Sequence, residues 1–212
     1  RIERIQTVEI VKDGYVLTAA HVAGKPGRKA QFILADGKKV EGKSLGTDRT
    51  FDAGLMKINE IIRDGQPVRW PYAPLGTSKE LQAGQWCLAT GHPNGYYSDR
   101  PPVVRVGRIL SNRDAVLITD CKLVGGDSGG PLFDMDGNII GIHSRIGAAL
   151  TLNMHVPVDK FMEDWDRLVA GEDWGNLPGM RPGIGVEGEA NSGRAKIARV
   201  LPGRAGGRAP PE

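Results

Sequence analysis

No apolar run in this 212-residue chain approaches the roughly 18 residues that a membrane-spanning helix needs, so no helical span is expected. Cysteine is scarce. Cys87 and Cys121 are the only two, too few for a disulfide-built scaffold, and they read either as free buried thiols or as one bridge. Charge of one sign is missing as well: 28 Lys and Arg stand against 25 Asp and Glu, a net charge of +3. The basic residues are scattered among acids, whereas nucleic-acid binding requires a clustered basic stripe, so nucleic acid is not expected as a partner. Aromatics make up only 6% of the chain. The chain opens on Arg1 and no signal peptide precedes it, so it reads as a processed or excised fragment whose address is not written in it. The hydrophobic share, 40%, is ordinary for a globular protein with a real core.

Glycine and proline are plentiful, 30 and 14 residues, and they punctuate short alternating runs. Asp13-Gly14, Asp36-Gly37 and Asp136-Gly137 each lie between two such runs, the strongest short-range signal of a β-hairpin. Further strands are expected at 55–58, 86–89, 103–109 and 115–119, a spacing that fits a barrel or sandwich. A Pro- and Gly-bearing stretch, 64–84, separates two groups of strands and reads as the connection between half-domains. After Pro157 the period changes. Phe161, Met162, Trp165, Leu168 and Val169 fall on one helical face, with Asp159 as N-cap and Gly171 as the stop. Residues 172–182 read as a linker, followed by strands at 183–186 and 195–201 and a frayed tail from Gly203. About 30 residues do not make a stable domain unaided, so whatever starts at 183 is expected to be cut short.

The chemistry concentrates in Gly125-Gly126-Asp127-Ser128-Gly129-Gly130-Pro131-Leu132. A serine hydroxyl becomes a useful nucleophile only when a base takes its proton. Flanking glycines let the backbone bend until the amides of Gly126 and Ser128 point at one spot, where they stabilise an oxyanion; one such donor is worth roughly 2.7–4 kcal/mol. Two partners precede it: His21 at the end of the apolar run Tyr15-Val16-Leu17-Thr18-Ala19-Ala20, and Asp52 just before Ala53-Gly54-Leu55-Met56. A buried carboxylate at Asp52 is suited to hold the imidazole in the tautomer that accepts the serine proton. The order also excludes an α/β-hydrolase, whose serine lies on a turn into a helix: Gly129-Gly130-Pro131 forbids a helix there. His143 and His155 read as structural.

With their flanking residues, His21, Asp52 and Ser128 resemble the trypsin-like superfamily, and most of all its HtrA/Deg branch. Asp13-Gly14-Tyr15-Val16-Leu17-Thr18, Gly46-Thr47-Asp48 and Asp136-Gly137-Asn138-Ile139-Ile140-Gly141-Ile142 are similar to Deg segments. The resemblance implies an all-β fold: two six-stranded antiparallel β-barrels with the triad in the cleft between them. The barrels would span about 1–63 and 84–158, closed by a helix at 159–170. It implies an oxyanion hole at Gly126, Asp127 and Ser128, and substrate contacts at Lys122, Leu123, Ser144 and Arg145. Ser144 and Arg145 match the strand that pairs with substrate backbone. A buried Lys122 would favour an acidic side chain; one pointing to solvent would leave an apolar pocket. Gly183-Ile184-Gly185-Val186 and 195–203 look like the opening of a PDZ domain.

Two departures stand out. Deg proteins usually carry Asn where this chain has Asp127, and in zymogen-activated trypsin relatives that aspartate pairs with a freed N-terminal amine. No such start is visible here, so Asp127 needs another partner or the loop rests inactive. The Gly-Ser-Gly segment that usually precedes the histidine strand is also missing. The expectation is a serine endopeptidase acting on exposed or unfolded polypeptide without metal or cofactor; the alternative is a catalytically silent peptide-binding scaffold. By resemblance alone, a homotrimer and a bacterial periplasmic, envelope or secreted location follow.

Overall fold

The run from Val16 to Ala20 is apolar without alternation, apart from Thr18, as expected of a strand covered on both faces. That is where a computed structural model places it. The structure describes residues 7–113, 116–147 and 151–177, and the backbone of two short strands beyond. In chain order the N-terminal half holds β1 (Glu9–Ile10), β2 (Tyr15–Ala19), a turn of helix α1 (Ala20–Ala23), β3 (Lys29–Ile33), β4 (Lys39–Asp48), β5 (Ala53–Ile58), β6 (Ile62–Arg63) and β7 (Gln66–Pro67). The C-terminal half holds β8 (Trp86–Gly91), β9 (Val103–Arg113), β10 (Val116–Thr119), β11 (Pro131–Phe133), β12 (Ile139–Ile146) and β13 (Asn153–Pro157). Helices α2 (Val158–Glu163) and α3 (Trp165–Val169) follow, then β14 (Asp173–Trp174).

Strands β8 to β13 form a closed six-stranded barrel, in the order β10-β13-β12-β11-β8-β9. The N-terminal half differs from the expected barrel. Among the described residues it is an open six-stranded sheet, β1-β2-β5-β4-β14, with β3 also on β4. Closure would require a strand joining β1 to β3, and β1 offers only two residues. The sixth strand, β14, comes from the segment read as a linker and runs parallel to β4. It is held there by Arg49 and Thr47, each 2.6 Å from the Asp173 carboxylate.

Alternate residues of β2 and β5 face two apolar layers. Val16, Met56 and Ile58 pack with Phe32 on one side. Leu17 and Leu55 pack on the other against Ile142 and Val156 of the barrel and Phe161 and Leu168 of the helices. That second layer joins the two halves, and each fully buried Leu, Ile or Phe in it contributes about 1.5–3 kcal/mol. The helix expected at 159–170 is broken at Asp164, whose φ of −103° and ψ of 13° leave the helical region. Met162 lies about 100° round from Phe161 and is exposed. Asp159 lies inside the first turn rather than capping it, and instead accepts from Ser78 N (2.5 Å) and Ser78 Oγ (2.6 Å), anchoring the 64–84 connection.

All three Asp-Gly pairs turn the chain, by two routes. Asp13 (φ 61°) and Gly14 (φ 72°) both lie in the left-handed region, as a two-residue turn requires. At the other two only the glycine does, closing longer loops through Leu34 N to Lys38 O (2.8 Å) and Asp134 N to Asn138 O (3.0 Å). Cys87 and Cys121 are free, buried thiols with sulfurs 3.7 Å apart. The contact with Cys121, and then burial, push the Cys87 thiol up. The strands at Val186–Gly188 (β15) and Ile197–Val200 (β16) pair antiparallel in a separate unit that begins after Pro178. Residues 183–185, where the expected PDZ opening begins, lie outside the described residues.

Under the barrel wall, His143 Nε2 donates to Thr90 O (3.1 Å), so its Nδ1 accepts from His155 Nδ1 (2.9 Å). His155 Nε2 then accepts from Thr119 Oγ1 at 2.8 Å. Burial pushes His143 down to about 3 and His155 well below its ordinary value, so both stay neutral when folded. Unfolding lets each take a proton below about pH 6.5, so the contribution of each is full above that pH and falls by about 1.4 kcal/mol per unit below it. Glu9, pushed up to about 7 by burial, acts oppositely above its ordinary value, and the two histidines outweigh it. Urea unfolding should therefore show stability falling from pH 6.5 to 5, with a shallower slope in His155→Gln. A wild-type stability that is flat or rises on acidification would contradict this.

Candidate active site

The register of β2 on β5 pairs Ala19 with Ala53. Asp52, one residue before β5, therefore meets His21, two residues past the end of β2. Ala20 N donates to Asp52 O (2.8 Å), and His21 N donates to Asp52 Oδ1 (3.0 Å). The imidazole Nδ1 lies 2.8 Å from Oδ2 and 3.0 Å from Oδ1. A carboxylate only accepts, so Nδ1 carries the proton and Nε2 is left as the basic nitrogen. Asp52 is 3% exposed, while the His21 side chain is 37% exposed and open to the cleft.

Two features hold the carboxylate. Asp52 adopts φ 68°, a left-handed conformation costing roughly 1–2 kcal/mol outside glycine. Ser144 Oγ donates to Oδ2 at 2.6 Å. The register of β12 on β13 passes from His143–His155 to Arg145–Met154, so Ser144 sits in a bulge that turns its hydroxyl towards Asp52.

The same strand ties down the serine loop. Gly129 N donates to His143 O, and His143 N to Gly130 O, both at 2.8 Å. Gly129 has φ 84°, and a side chain there would meet Thr18 Oγ1 at 2.3 Å, so the loop presses on the strand that leads to His21. Ser128 is half-buried in the middle of this turn. Thr7 N (3.2 Å) and Thr7 Oγ1 (3.1 Å) both donate to Gly126 O. Asp127 N donates to Val124 O (3.2 Å), and Val124 N to Asp127 Oδ2 (2.9 Å). The amides of Gly126 and Ser128 make no hydrogen bond among the described residues. No cluster of three or more metal-ligating side chains occurs among the described residues.

Residues 8–142 match the model of the trypsin-like peptidase domain, well over half of the chain. This chain belongs to that family. A protein of Pseudomonas fluorescens named as a DegP-like periplasmic serine endoprotease is 35% identical over 170 residues, covering 76% of this chain and 34% of the relative. A protein of Synechocystis named as serine protease HhoA is 34% identical over 187 residues, covering 84% of this chain and 45% of the relative. The chain thus spans about a third to a half of the length of these relatives. The HtrA-type protease AlgW with decapeptide has the same fold, with a TM-score of 0.63 at 23% identity, covering 92% of this chain and 63% of that one. Deg5 gives 0.59 at 26% identity, over 78% and 83% respectively.

Within this trypsin-like domain, the other expected site residues separate. Lys122 is exposed, whereas Leu123 is buried in the barrel core beside Cys121 and Leu132, its N–H donated to Asn153 Oδ1 at 2.9 Å. Arg145 is half-buried, with Nε 3.3 Å from Met154 Sδ. Ser144 was expected to touch substrate, and its hydroxyl is directed at Asp52. Asp127 has a partner after all: Arg105 Nη2, 3.1 Å from Oδ2. Thr7 and Arg105 carry no motif. Arg105 was readable only from the alternation of β9, where 103, 105, 107 and 109 share a face and Ile109 must be inside.

Removing the Ser144 hydroxyl deletes one hydrogen bond to a charged acceptor, worth about 1.5–3 kcal/mol. Ser144→Ala should therefore lower kcat/KM about 10- to 100-fold, mainly in kcat, and lower the melting temperature by several degrees while leaving the chain folded. A loss confined to KM would instead make Ser144 a substrate contact.

Proposed function

We propose that this chain is a serine endopeptidase in which Ser128 attacks the scissile carbonyl and His21 takes its proton through Nε2. Asp52 orients the imidazole and stabilises the imidazolium, and the amides of Gly126 and Ser128 receive the oxyanion. The acyl group passes to Ser128; His21 returns the proton to the leaving amine; water then repeats the sequence and frees the acid. One observation carries this reading: the buried Asp52 carboxylate fixes the Nδ1–H tautomer of His21, as that base requires. All three triad positions lie in the order His, Asp, Ser, and the relatives named above carry serine protease names.

The substrate is polypeptide in extended form, laid along β12 at Ser144–Arg145 so that backbone hydrogen bonds bind it and side-chain pockets select it. A groove of about 530 Å³ passes His21, lined by Thr7, Val22, Ala23, Phe32 and His92 among others, and offers room on that side of the scissile bond. Exposed Lys122 supports an apolar primary pocket over an acidic-selective one. A periplasmic location and a trimer accord with the names and resemblance already given, and no helix among the described residues is long and apolar enough to cross a membrane.

A fluorophosphonate should add one adduct to the wild-type chain, seen by intact mass, and none to Ser128→Ala. A folded wild-type chain that takes no adduct would contradict the assignment of Ser128.

A further inference from the structure

Asp127 lies between the two residues whose amides form the proposed oxyanion hole, and its side chain is fully buried. A buried carboxylate without a counter-charge is strongly disfavoured, because burial removes its hydration. The barrel supplies that charge from the next wall. Arg105, on β9, is 16% exposed at its side chain and meets Asp127 Oδ2 at 3.1 Å, the oxygen that also accepts Val124 N–H. Asp127 N–H returns to Val124 O, so side chain and backbone of one residue close the turn 124–127. That closure leaves the Gly126 and Ser128 amides without internal partners.

The strands around the pair are shaped to it. Arg105 pairs across the sheet with Ala89, two residues before Gly91. A side chain at Gly91 would come within 2.3 Å of Asp127 Oδ1, so β8 leaves the space that the carboxylate occupies. Within that space Oδ1 of Asp127 and Nη1 of Arg105 are both buried without a hydrogen-bond partner. The contact is thus a single-point ion pair, the one salt bridge that either side chain makes among the described residues. His143, which feels the Arg105 charge, is pushed down to about 3 by burial, and burial also pushes down His92, which feels the Asp127 charge.

We propose that Arg105 is a positioning residue for catalysis: its charge keeps Asp127 inside the barrel and so holds the oxyanion loop ready without an external amine or ligand. With Arg105 neutralised, Asp127 regains hydration only by leaving the barrel, and the turn it closes leaves with it. This inference rests on Ser128 being the nucleophile, and the test separates the two.

The test compares fluorophosphonate labelling rates and peptide-ester turnover for wild type, Arg105→Gln, Asp127→Asn and the double variant, with a thermal melt for each. Arg105→Gln should label and turn over about 10²- to 10³-fold more slowly, the loss lying in kcat, as expected when oxyanion stabilisation is withdrawn. In the Asp127→Asn background the guanidinium has no charge to hold, so adding Arg105→Gln should change the rate by less than about tenfold. Wild-type labelling by a folded Arg105→Gln would overturn the inference. So would a folded double variant 100-fold slower than Asp127→Asn, a comparison that decides even if Arg105→Gln alone does not fold. A wild-type chain that takes no label would overturn the assignment of Ser128 instead.

Discussion

The site depends on one buried carboxylate. Asp52 accepts hydrogen bonds from the backbone N–H of His21, from its ring Nδ1 and from the Ser144 hydroxyl. Each donor comes from a different constraint: the β2–β5 register, the turn of α1 after β2, and the bulge in β12. The left-handed backbone at Asp52 is the local cost, and about 1–2 kcal/mol of strain is readily offset by three charge-assisted hydrogen bonds. Moving any one of those elements by a residue would turn its donor away.

Strand β12 links this carboxylate to the serine loop. His143 holds Gly129 and Gly130 through its backbone, while the next residue, Ser144, reaches Asp52. One side of the strand belongs to the barrel interior and the other to the cleft. The neutral pair His143–His155 and the ion pair Arg105–Asp127 lie behind it. Preorganisation of this kind is what the proposed oxyanion site requires, two backbone amides that need not turn when charge develops.

Much of this was legible from residue types in order. The serine loop, the histidine after an apolar strand and the aspartate before another marked the site, and the Asp-Gly pairs marked the turns. What escaped was set by distant pairing. β14 carries no strand signal because two residues, held by Arg49 and Thr47, suffice to join β4. Leu123 resembled a pocket residue by position, but the barrel core claims it. The hydroxyl of Ser144 is aimed at Asp52 by the bulge in β12, which no local pattern announces. Arg105 looked like one of many scattered cations, and only its place on the inward face of β9, opposite Ala89 and beside Asp127, gives it a role.

Asp52 can be tested by replacing one atom. Asp52→Asn keeps the shape but substitutes an amide that donates, favouring the His21 tautomer with the proton on Nε2, where it cannot serve as base. Steady-state kinetics on a peptide substrate should show kcat reduced by about 10⁴-fold with KM nearly unchanged and the fold intact. A folded Asp52→Asn protein within tenfold of wild type would mean that this carboxylate does not govern the base, and the account would fail at its centre.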